Sequence, residues 1–505
     1  IISKKKFLLV TNLALLLAVG IVVFTLFHTI DPKKEKYLEL GIILFTVCFQ
    51  LLVISQIKRK YTSPTMKLYF IHPVFYINVA VIFFFFFPFL FYRFQSDIVF
   101  WWLVMENILI PLTFFCVSII MCNILFLFID RKSLRVTKKI EEFDTIIDTL
   151  KQKLPILLIF YGLAWVTRIL TVLLGTYSMV LSGVDLQLAI RMKYPLLYPA
   201  YMFSNYAIYF PVLFALWVLY FTAFKTNKNY KLFVICMLLA DILYFFLSGG
   251  KLNVLQPILA YGLAGLMCKQ KVARKLIIVG IVVFLSLPVY NAYRSLGGTL
   301  VDTTEELEMA GFKSFDEVKE YFSLSIDSLF RRADAFTTYF YFTQNTEDNF
   351  LHGATYVSIL SGLLPDYLLR LPDYLKDKSL AEHVRDQGII GPDERLCAGA
   401  TATWGEFYLN FGYTGLIIGV PLLGLFCLFM FRKVLHGKNF YLFLIYSYIP
   451  FEFLILAHAE LRTLLSPIIK MSVVLFIVQV IMRLRLKKHI SLPKKSYLNN
   501  MRGAY

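Results

Sequence analysis

The sequence has little charge for its length. Charged residues make up 17% of its 505 residues, whereas hydrophobic residues make up 58%. A soluble domain carries about 25% charged residues, so this composition does not fit a chain of several soluble domains. The apolar residues recur in runs of about 20, the length that a helix needs to cross the hydrocarbon core of a bilayer. The composition therefore predicts a membrane protein with many spans.

The sequence also lacks motifs for binding metals, nucleotides or nucleic acids. It contains no Asp-x-Asp, HExxH or Walker loop, and its seven cysteines show no CxxC or Cys/His spacing. Cys397 has no second cysteine in the polar segment around it, so no disulfide is predicted. The net charge of +18 lies in short basic clusters between apolar runs, which is typical of membrane loops. We expect no metal, no cofactor and no nucleic-acid partner.

Twelve apolar runs predict about twelve transmembrane helices, because a helix satisfies its own backbone hydrogen bonds in lipid. The runs are 7–28, 38–57, 68–92, 98–129, 154–181, 200–224, 232–248, 252–268, 276–291, 412–431, 440–458 and 463–482. The first run lacks a small-residue cleavage site, which favours an uncleaved helix over a signal peptide. Three regions result: an N-terminal bundle of about nine helices over 1–293, an outer segment over 294–411, and C-terminal helices with a basic tail over 412–505.

Lysine and arginine predict the orientation of the chain. They are concentrated in alternate short loops, including the loops at 58–67 and 131–153 and the tail at 483–502. Short loops rich in these residues stay in the cytoplasm. Both termini are therefore predicted to be cytoplasmic, with residues 294–411 on the outer face of the cytoplasmic membrane.

The outer segment shows signs of defined structure. A capping box begins at Ser314 and ends at Glu317, and an apolar stripe with helical spacing follows from Phe315 to Phe340. This pattern predicts an amphipathic helix lying over the membrane face of the bundle or in the interface. Two proline-containing pieces, 364–368 and 371–375, predict short broken helices.

Ionisable residues inside or beside the apolar runs are functional candidates, because a charge at membrane depth is costly. They are Glu106, Arg168, Asp241, Lys251, Glu406, Glu452, His458, Glu460, Arg462 and Lys470. The outer loops add arginines, among them Arg191, Arg294, Arg331, Arg332 and Arg395. The planar guanidinium group binds phosphate through paired donors, so an outer arginine-lined pocket suits a lipid diphosphate. Arg191, in the preceding outer loop, is predicted to position the acceptor. The alternative is that these arginines extend to lipid headgroups or cap helices.

Two further stretches contain candidate site residues. Ser248-Gly249-Gly250-Lys251 offers free backbone amides and a cation for phosphate, or simply forms a tight hairpin. Glu406 and Asn410 lie four residues apart on one helical face, where Glu406 can serve as a general base or orient an acceptor hydroxyl, and Asn410 can position the acceptor. The alternative for Glu406 is a structural carboxylate paired with an arginine. His352 is a second candidate base, or an ordinary surface histidine.

Four stretches together resemble the oligosaccharide repeat-unit polymerases, the Wzy or O-antigen polymerase family. They are Phe246 to Lys251, Tyr290 to Arg294, His352 to Tyr356 with Leu363 to Pro365, and Trp404 to Gly415, which reads WGEFYLNFGYTG. Lys251 stands where the family has arginine. The resemblance covers the second half of the chain.

The resemblance implies an all-α polytopic membrane glycosyltransferase with a GT-C-like fold. Such enzymes join repeat units carried on undecaprenyl diphosphate at the outer face of the bacterial cytoplasmic (inner) membrane. It implies partners as well, namely the lipid-linked oligosaccharide, a chain-length regulator acting as co-polymerase, and a flippase. The products of this family are O-antigen, capsule or exopolysaccharide.

Three alternatives stay open at the sequence level. An O-antigen ligase shares the chemistry, since it passes finished polymer to another acceptor. A flippase or transporter of lipid-linked sugars is favoured by internal repeats, which this sequence lacks. A non-catalytic membrane scaffold does not account for the arginines on one face.

Overall fold

The structure is a computed structural model that describes most of the apolar runs. It covers residues 32–63, 66–95, 98–100, 103–104, 108–130, 136–174, 186–247, 255–272, 335–346, 350–361, 382–384, 403–437, 439–455 and 461–490. These residues are almost all helical. The predicted spans 7–28 and 276–291, the capping box at 314–317 and the proline-containing pieces at 364–375 lie outside them.

The helices follow the chain in the order expected of a polytopic bundle. They are α1 (Pro32–Lys60), α2 (Pro73–Val81), α3 (Phe87–Gln95), α4 (Leu109–Asp130), α5 (Val136–Gln152), α6 (Leu154–Leu173), α7 (Leu186–Lys193), α8 (Tyr198–Met202), α9 (Tyr209–Thr222), α10 (Lys228–Leu247), α11 (Leu255–Met267), α12 (Ala335–Asn345), α13 (Ala354–Ser361), α14 (Thr403–Gly437), α15 (Phe440–Ile455) and α16 (Leu461–Ile490). Leu68–Ile71 forms a 3₁₀ turn, Ile82–Phe86 joins α2 to α3 as π-turn 1, and Phe203–Ala207 joins α8 to α9 as π-turn 2.

Within the described part of the chain, six helical segments are long and apolar enough to cross a membrane. They are Glu35–Lys60, Pro73–Leu90, Leu109–Ile129, Leu154–Leu173, Tyr198–Thr222 and Thr403–His436. Shorter apolar helices occupy Leu255–Met267, Phe440–Leu454 and Leu464–Val480. Ten of the twelve predicted spans thus overlap a described helix, with α10 corresponding to the run 232–248.

The predicted span 98–129 is wrong at its beginning. Ile98–Phe100 (β1) and Leu103–Val104 (β2) pair as a small antiparallel hairpin, and the helix begins only at Leu109. β-branched and aromatic residues favour strands, and a continuous apolar run has no period that separates a strand from a buried helix. The helix that corresponds to this apolar run is therefore the 22-residue α4.

The core of the bundle forms around α9. All eleven residues from Tyr209 to Leu219 are buried, because α9 packs against α6, α10, α11 and α15. A helix that is apolar on every side is stable only when it is enclosed in this way. The amphipathic helix α5 packs against α9 and α14 and buries its apolar stripe, which includes Phe143 and Leu150.

Helix α12 contains the end of the predicted amphipathic stripe. It is buried on more faces than the single apolar face that such a stripe predicts. Tyr339, Phe340, Tyr341 and Phe342 are four consecutive buried residues. The helix packs against π-turn 1 and α14, and the Tyr339 hydroxyl donates to the Pro111 carbonyl at 2.8 Å. This part of the predicted outer segment therefore packs into the bundle instead of presenting one face to it.

Close packing of α4 against α14 depends on a glycine. A Cβ atom on Gly424 would lie 2.4 Å from Cys122 Sγ and 3.0 Å from Phe126 Cζ. Replacing Gly424 by alanine is expected to destabilise the protein by about 1–3 kcal/mol, because both neighbours are buried and must move. A thermal unfolding scan of the purified protein in detergent should show a Tm lower by several degrees.

Gly162 provides the matched control on α6. A Cβ atom at Gly162 meets no described atom within 4 Å, so Gly162→Ala should leave the Tm unchanged or raise it slightly through helix propensity. Equal Tm values for the two variants would show that α4 and α14 do not pack as closely as described.

Candidate functional site

The site forms at a kink in α14. The backbone leaves the helical region at Phe411 (φ −145°, ψ 20°) and at Gly412 (φ 63°, ψ −152°). A positive φ of this size favours glycine. A Cβ atom on Gly412 would also lie 3.1 Å from the Phe350 ring. The kink therefore needs glycine, and it separates a short first part of α14, Thr403 to Asn410, from the long apolar remainder.

Three consecutive backbone amides dock onto the residues just before this kink. The Leu351 N–H donates to the Leu409 carbonyl at 2.8 Å, and the His352 N–H donates to the Asn410 carbonyl at 3.1 Å. The Gly353 N–H donates to Asn410 Oδ1 at 2.8 Å. His352 and Gly353 have positive φ values of 46° and 88°. The turn at 351–353 is thus held in a left-handed conformation by direct bonds to α14.

Asn410 is the centre of this junction. Its side chain is fully buried, and besides accepting from Gly353 it donates through Nδ2 to Thr355 Oγ1 at 2.9 Å and to the Glu406 carbonyl at 2.8 Å. Both amide donors are therefore used by protein groups. The sequence-based prediction that Asn410 positions an acceptor stays a prediction, and these contacts give Asn410 a structural role as well. In the structure Asn410 positions the His352 turn and the start of α13.

Glu406 lies one helical turn before Asn410 and is also buried. Its Oε2 atom accepts a 2.5 Å hydrogen bond from the Leu461 N–H, the first residue of α16. A carboxylate is favourable there because the first amides of a helix lack intrahelical acceptors and carry partial positive charge. The structure thus gives Glu406 a capping role that the sequence did not indicate, next to the buried Asn410.

Only some of the other predicted site residues lie in the described part of the chain. The His352 side chain is exposed on the docked turn, and Arg191 is exposed on α7. Lys251, Arg294, Arg331, Arg332 and Arg395 lie outside the described residues, as do Glu106, His458, Glu460 and Cys397. Two of the family-like stretches, around His352 and around Glu406, are brought together. In the described part of the chain no three His, Cys, Asp or Glu side chains are grouped as a metal site.

An apolar groove begins at the docked turn. Its volume is about 630 Å³, and it is lined by α14 from Phe407 to Phe426, by Tyr356 of α13, and by Leu461 and Leu465 of α16. The turn adjoins one end, because a Cβ atom on Gly353 would lie 3.4 Å from Phe411 Cζ and 3.9 Å from Tyr356 Cδ2. The candidate bases are therefore beside the groove, on the turn and on the helix that forms its wall.

Two glycines shape the wall of this groove. Cβ atoms on Gly415 and Gly419 would lie 2.3 Å from the Phe407 carbonyl oxygen and 2.4 Å from Phe407 Cδ1. Phe407 consequently packs back over the part of α14 that follows the kink. Any side chain at Gly415 or Gly419 would displace Phe407 from the groove wall.

A second polar cluster lies deep in the bundle around Arg168. Its Nη1 atom is 2.5 Å from Asp241 Oδ1, its Nε donates to Asn205 Oδ1 at 2.6 Å, and all three residues are fully buried. Asn205 belongs to π-turn 2. Arg168 and Asp241 are separate candidates at the level of the sequence, because they are 73 positions apart in the chain and no spacing rule pairs them.

Aromatic side chains surround this ion pair. The guanidinium carbon lies 4.4 Å from the Tyr209 ring centroid, 4.6 Å from Phe245, 4.8 Å from Tyr244 and 5.1 Å from Trp165. These distances suit cation–π attraction. The pair and its rings join α6, α9 and α10. A second buried pair, with Arg93 donating to Glu39 at 2.8 and 3.1 Å, joins α3 to α1.

The chain matches no known family model, no curated protein and no solved structure. Its resemblance to the repeat-unit polymerases therefore stays a prediction from the quoted stretches.

Proposed function

We propose that this chain is a membrane glycosyltransferase that polymerises undecaprenyl-diphosphate-linked oligosaccharide repeat units into a bacterial surface polysaccharide. One observation carries the proposal. Two family-like stretches that lie 57 residues apart at Gly353 and Asn410 are joined by three consecutive amide hydrogen bonds at the end of an apolar groove. A site for a sugar on a lipid carrier needs this combination of polar groups and apolar surface.

The proposal includes the membrane arrangement. The chain has about twelve spans and a GT-C-like fold in the cytoplasmic membrane, with both termini cytoplasmic and the site at the outer face. The distribution of lysine and arginine among the short loops supports this orientation. The six long apolar helices support its membrane location.

The proposed reaction is a displacement at the anomeric carbon of the donor sugar. An acceptor hydroxyl oxygen forms the new glycosidic bond, the bond from the anomeric carbon to the diphosphate breaks, and undecaprenyl diphosphate leaves with the bonding electrons. Glu406 or His352 takes the proton of the hydroxyl. Preorganised cations stabilise the charge on the leaving group, and we assign this role to Arg294, Arg331, Arg332, Arg395 and Lys251.

The direct test is to mix the purified protein with a lipid-diphosphate-linked repeat unit, without added metal. A ladder of products, each longer by one unit, is expected. Transfer of preformed polymer to a different acceptor without a ladder would indicate the ligase alternative. Movement of the repeat unit across a vesicle membrane with no new glycosidic bond would indicate a flippase. Either result overturns the proposal.

Replacing Glu406 by glutamine separates its two possible roles. Glutamine keeps an oxygen that can accept from the Leu461 N–H, but it cannot take a proton as a carboxylate does. If Glu406 is the general base, the rate of ladder formation should fall roughly 10²- to 10⁴-fold, while the Tm of the purified protein stays close to that of the wild type.

Two comparisons make this result specific. Glu406→Ala removes both the base and the cap, so it should lower the Tm as well as the rate. Glu382→Gln, the same change at an exposed residue, should alter neither. Full activity of Glu406→Gln would restrict Glu406 to capping α16 and leave His352 as the candidate base.

A further inference from the structure

The apolar groove beside the docked turn has a direction. Its lining begins at Phe411 and Thr414, next to the His352 turn, and continues along α14 to Phe426. The 12 residue steps from Thr414 to Phe426 rise about 18 Å at 1.5 Å per residue, which is more than half of a hydrocarbon core about 30 Å thick. A molecule that fills the groove must therefore be long and must extend from a polar end towards the middle of the membrane.

The walls restrict the chemistry of the occupant. The side chains that reach the groove are aromatic or aliphatic apart from the Tyr356 and Thr414 hydroxyls near the turn. A sugar or a phosphate would lose its hydrogen bonds along such a wall, which is costly. The apolar part of a ligand therefore occupies the length of the groove, and its polar part remains at the turn.

The groove is also open at its side. Ile418 and Leu422 are 59% and 58% exposed, and Phe411 is 46% exposed. In a membrane these side chains face lipid, so a chain can enter sideways from the bilayer without passing through water.

We propose that this groove binds the polyisoprenyl chain of the carrier lipid, with its diphosphate end at the His352 turn. The inference rests on the proposed function, because that function supplies a ligand with one long apolar chain and one polar end. It adds a binding site for the chain and a direction for the chain within the groove. The first isoprene units contact Phe411 and Tyr356, and later units contact Leu422 and Phe426.

Tryptophan substitutions in the groove test the inference. Ile418→Trp and Leu422→Trp place a large ring at exposed positions of the groove without disturbing a buried contact. Photolabelling with a polyisoprenyl diphosphate that carries a diazirine on the chain should mark α14 of the wild type, and both variants should lower this labelling about tenfold, which corresponds to about 1.4 kcal/mol of binding free energy. No sugar is needed for this measurement, so it tests whether the groove binds the polyisoprenyl chain even if no polymer forms.

The matched controls are Ile159→Trp and Leu239→Trp. These residues are 68% and 62% exposed on α6 and α10, away from the groove lining, and their labelling should equal that of the wild type. Equal loss in all four variants would overturn the inference, as would equal labelling of α14 by a phosphatidylglycerol with a diazirine on its acyl chain.

A kinetic comparison separates failure of the groove from failure of the proposed function. Repeat units on undecaprenyl and on farnesyl diphosphate are compared in the wild type and in Leu422→Trp. The variant should raise KM about tenfold for the long chain and leave the KM for the short chain unchanged. If both substrates give a product ladder and Leu422→Trp changes their KM values equally, the proposed role of the groove is wrong but the polymerase proposal stands. If neither substrate gives a ladder, the result counts against the polymerase.

Discussion

Replacing Asp241 by leucine is expected to destabilise the protein by about 3–5 kcal/mol, since it leaves the Arg168 guanidinium buried without its counter-charge. Arg168 and Asp241 are both fully buried, and their charged atoms are 2.5 Å apart. The surrounding aromatic rings supply a weak attraction for the cation but no hydrogen-bond acceptor of comparable strength. Unfolding of the purified protein in detergent should show a much lower Tm and less monodisperse protein.

A double variant provides the control for this prediction. Arg168→Met with Asp241→Leu removes both charges and keeps apolar volume, so it should recover much of the stability lost by the single change. A double variant that is as unstable as Asp241→Leu would show that the loss comes from packing and not from the unpaired cation. Arg168→Lys should be intermediate, because lysine cannot hold Asn205 and Asp241 with one planar group.

Replacing Asn410 by aspartate should reduce the rate of polymer formation by roughly 10²-fold, the size of effect that a displacement of about 1 Å has on a catalytic group. Aspartate keeps the acceptor for the Gly353 N–H but loses both donors, to Thr355 and to the Glu406 carbonyl. It also places a second carboxylate near Glu406. The His352 turn should then leave its place beside the groove.

The measurements for Asn410 must distinguish positioning from folding. At equal amounts of folded protein, kcat should fall by a larger factor than KM for the lipid-linked unit rises, because the groove for the apolar chain is retained and only the turn at its polar end moves. Asn345→Asp is the matched control, since Asn345 is exposed at the end of α12, and it should behave as the wild type. A normal kcat for Asn410→Asp would show that the docked turn has no part in the reaction.

The helical bundle could be predicted from the sequence because lipid leaves few other solutions for long apolar runs. Hydropathy located ten of the apolar helical segments, and it began the tenth span at residue 412, where the kink separates the long apolar part of α14 from its short first part, Thr403 to Asn410. The residues TWGEFYLN carry polar groups that lower hydropathy, and their burial depends on tertiary contacts, among them the packing of α12 on α14 and the bond that the Leu461 N–H donates to Glu406. The hairpin at 98–104 was missed for a related reason, since its run is uniformly apolar.

The sequence predicts the two stretches of the candidate site, but it does not predict that they lie next to each other. The residue types around His352 and Glu406 indicated polar chemistry, yet their junction depends on the kink at Gly412, which leaves the carbonyls of Leu409 and Asn410 to accept amides from another segment. No spacing rule relates residues 57 positions apart. The capping of α16 by Glu406 was unpredictable for the same reason, because hydropathy does not indicate which helix end faces which side chain.

The irregular turn at Phe203–Ala207 has a geometric consequence for the helix that contains it. Tyr201 contacts the Tyr244 hydroxyl at 3.3 Å, and Tyr209, eight residues later, lies over Arg168 and beside Phe245. In a regular helix eight residues overshoot two full turns by about 80°, so these tyrosines would diverge around the axis. The π-turn contains one more residue per turn and offsets most of that rotation. One extra residue thus aligns two aromatic anchors on a single strip of α8 and α9, so that both meet the same neighbour, α10.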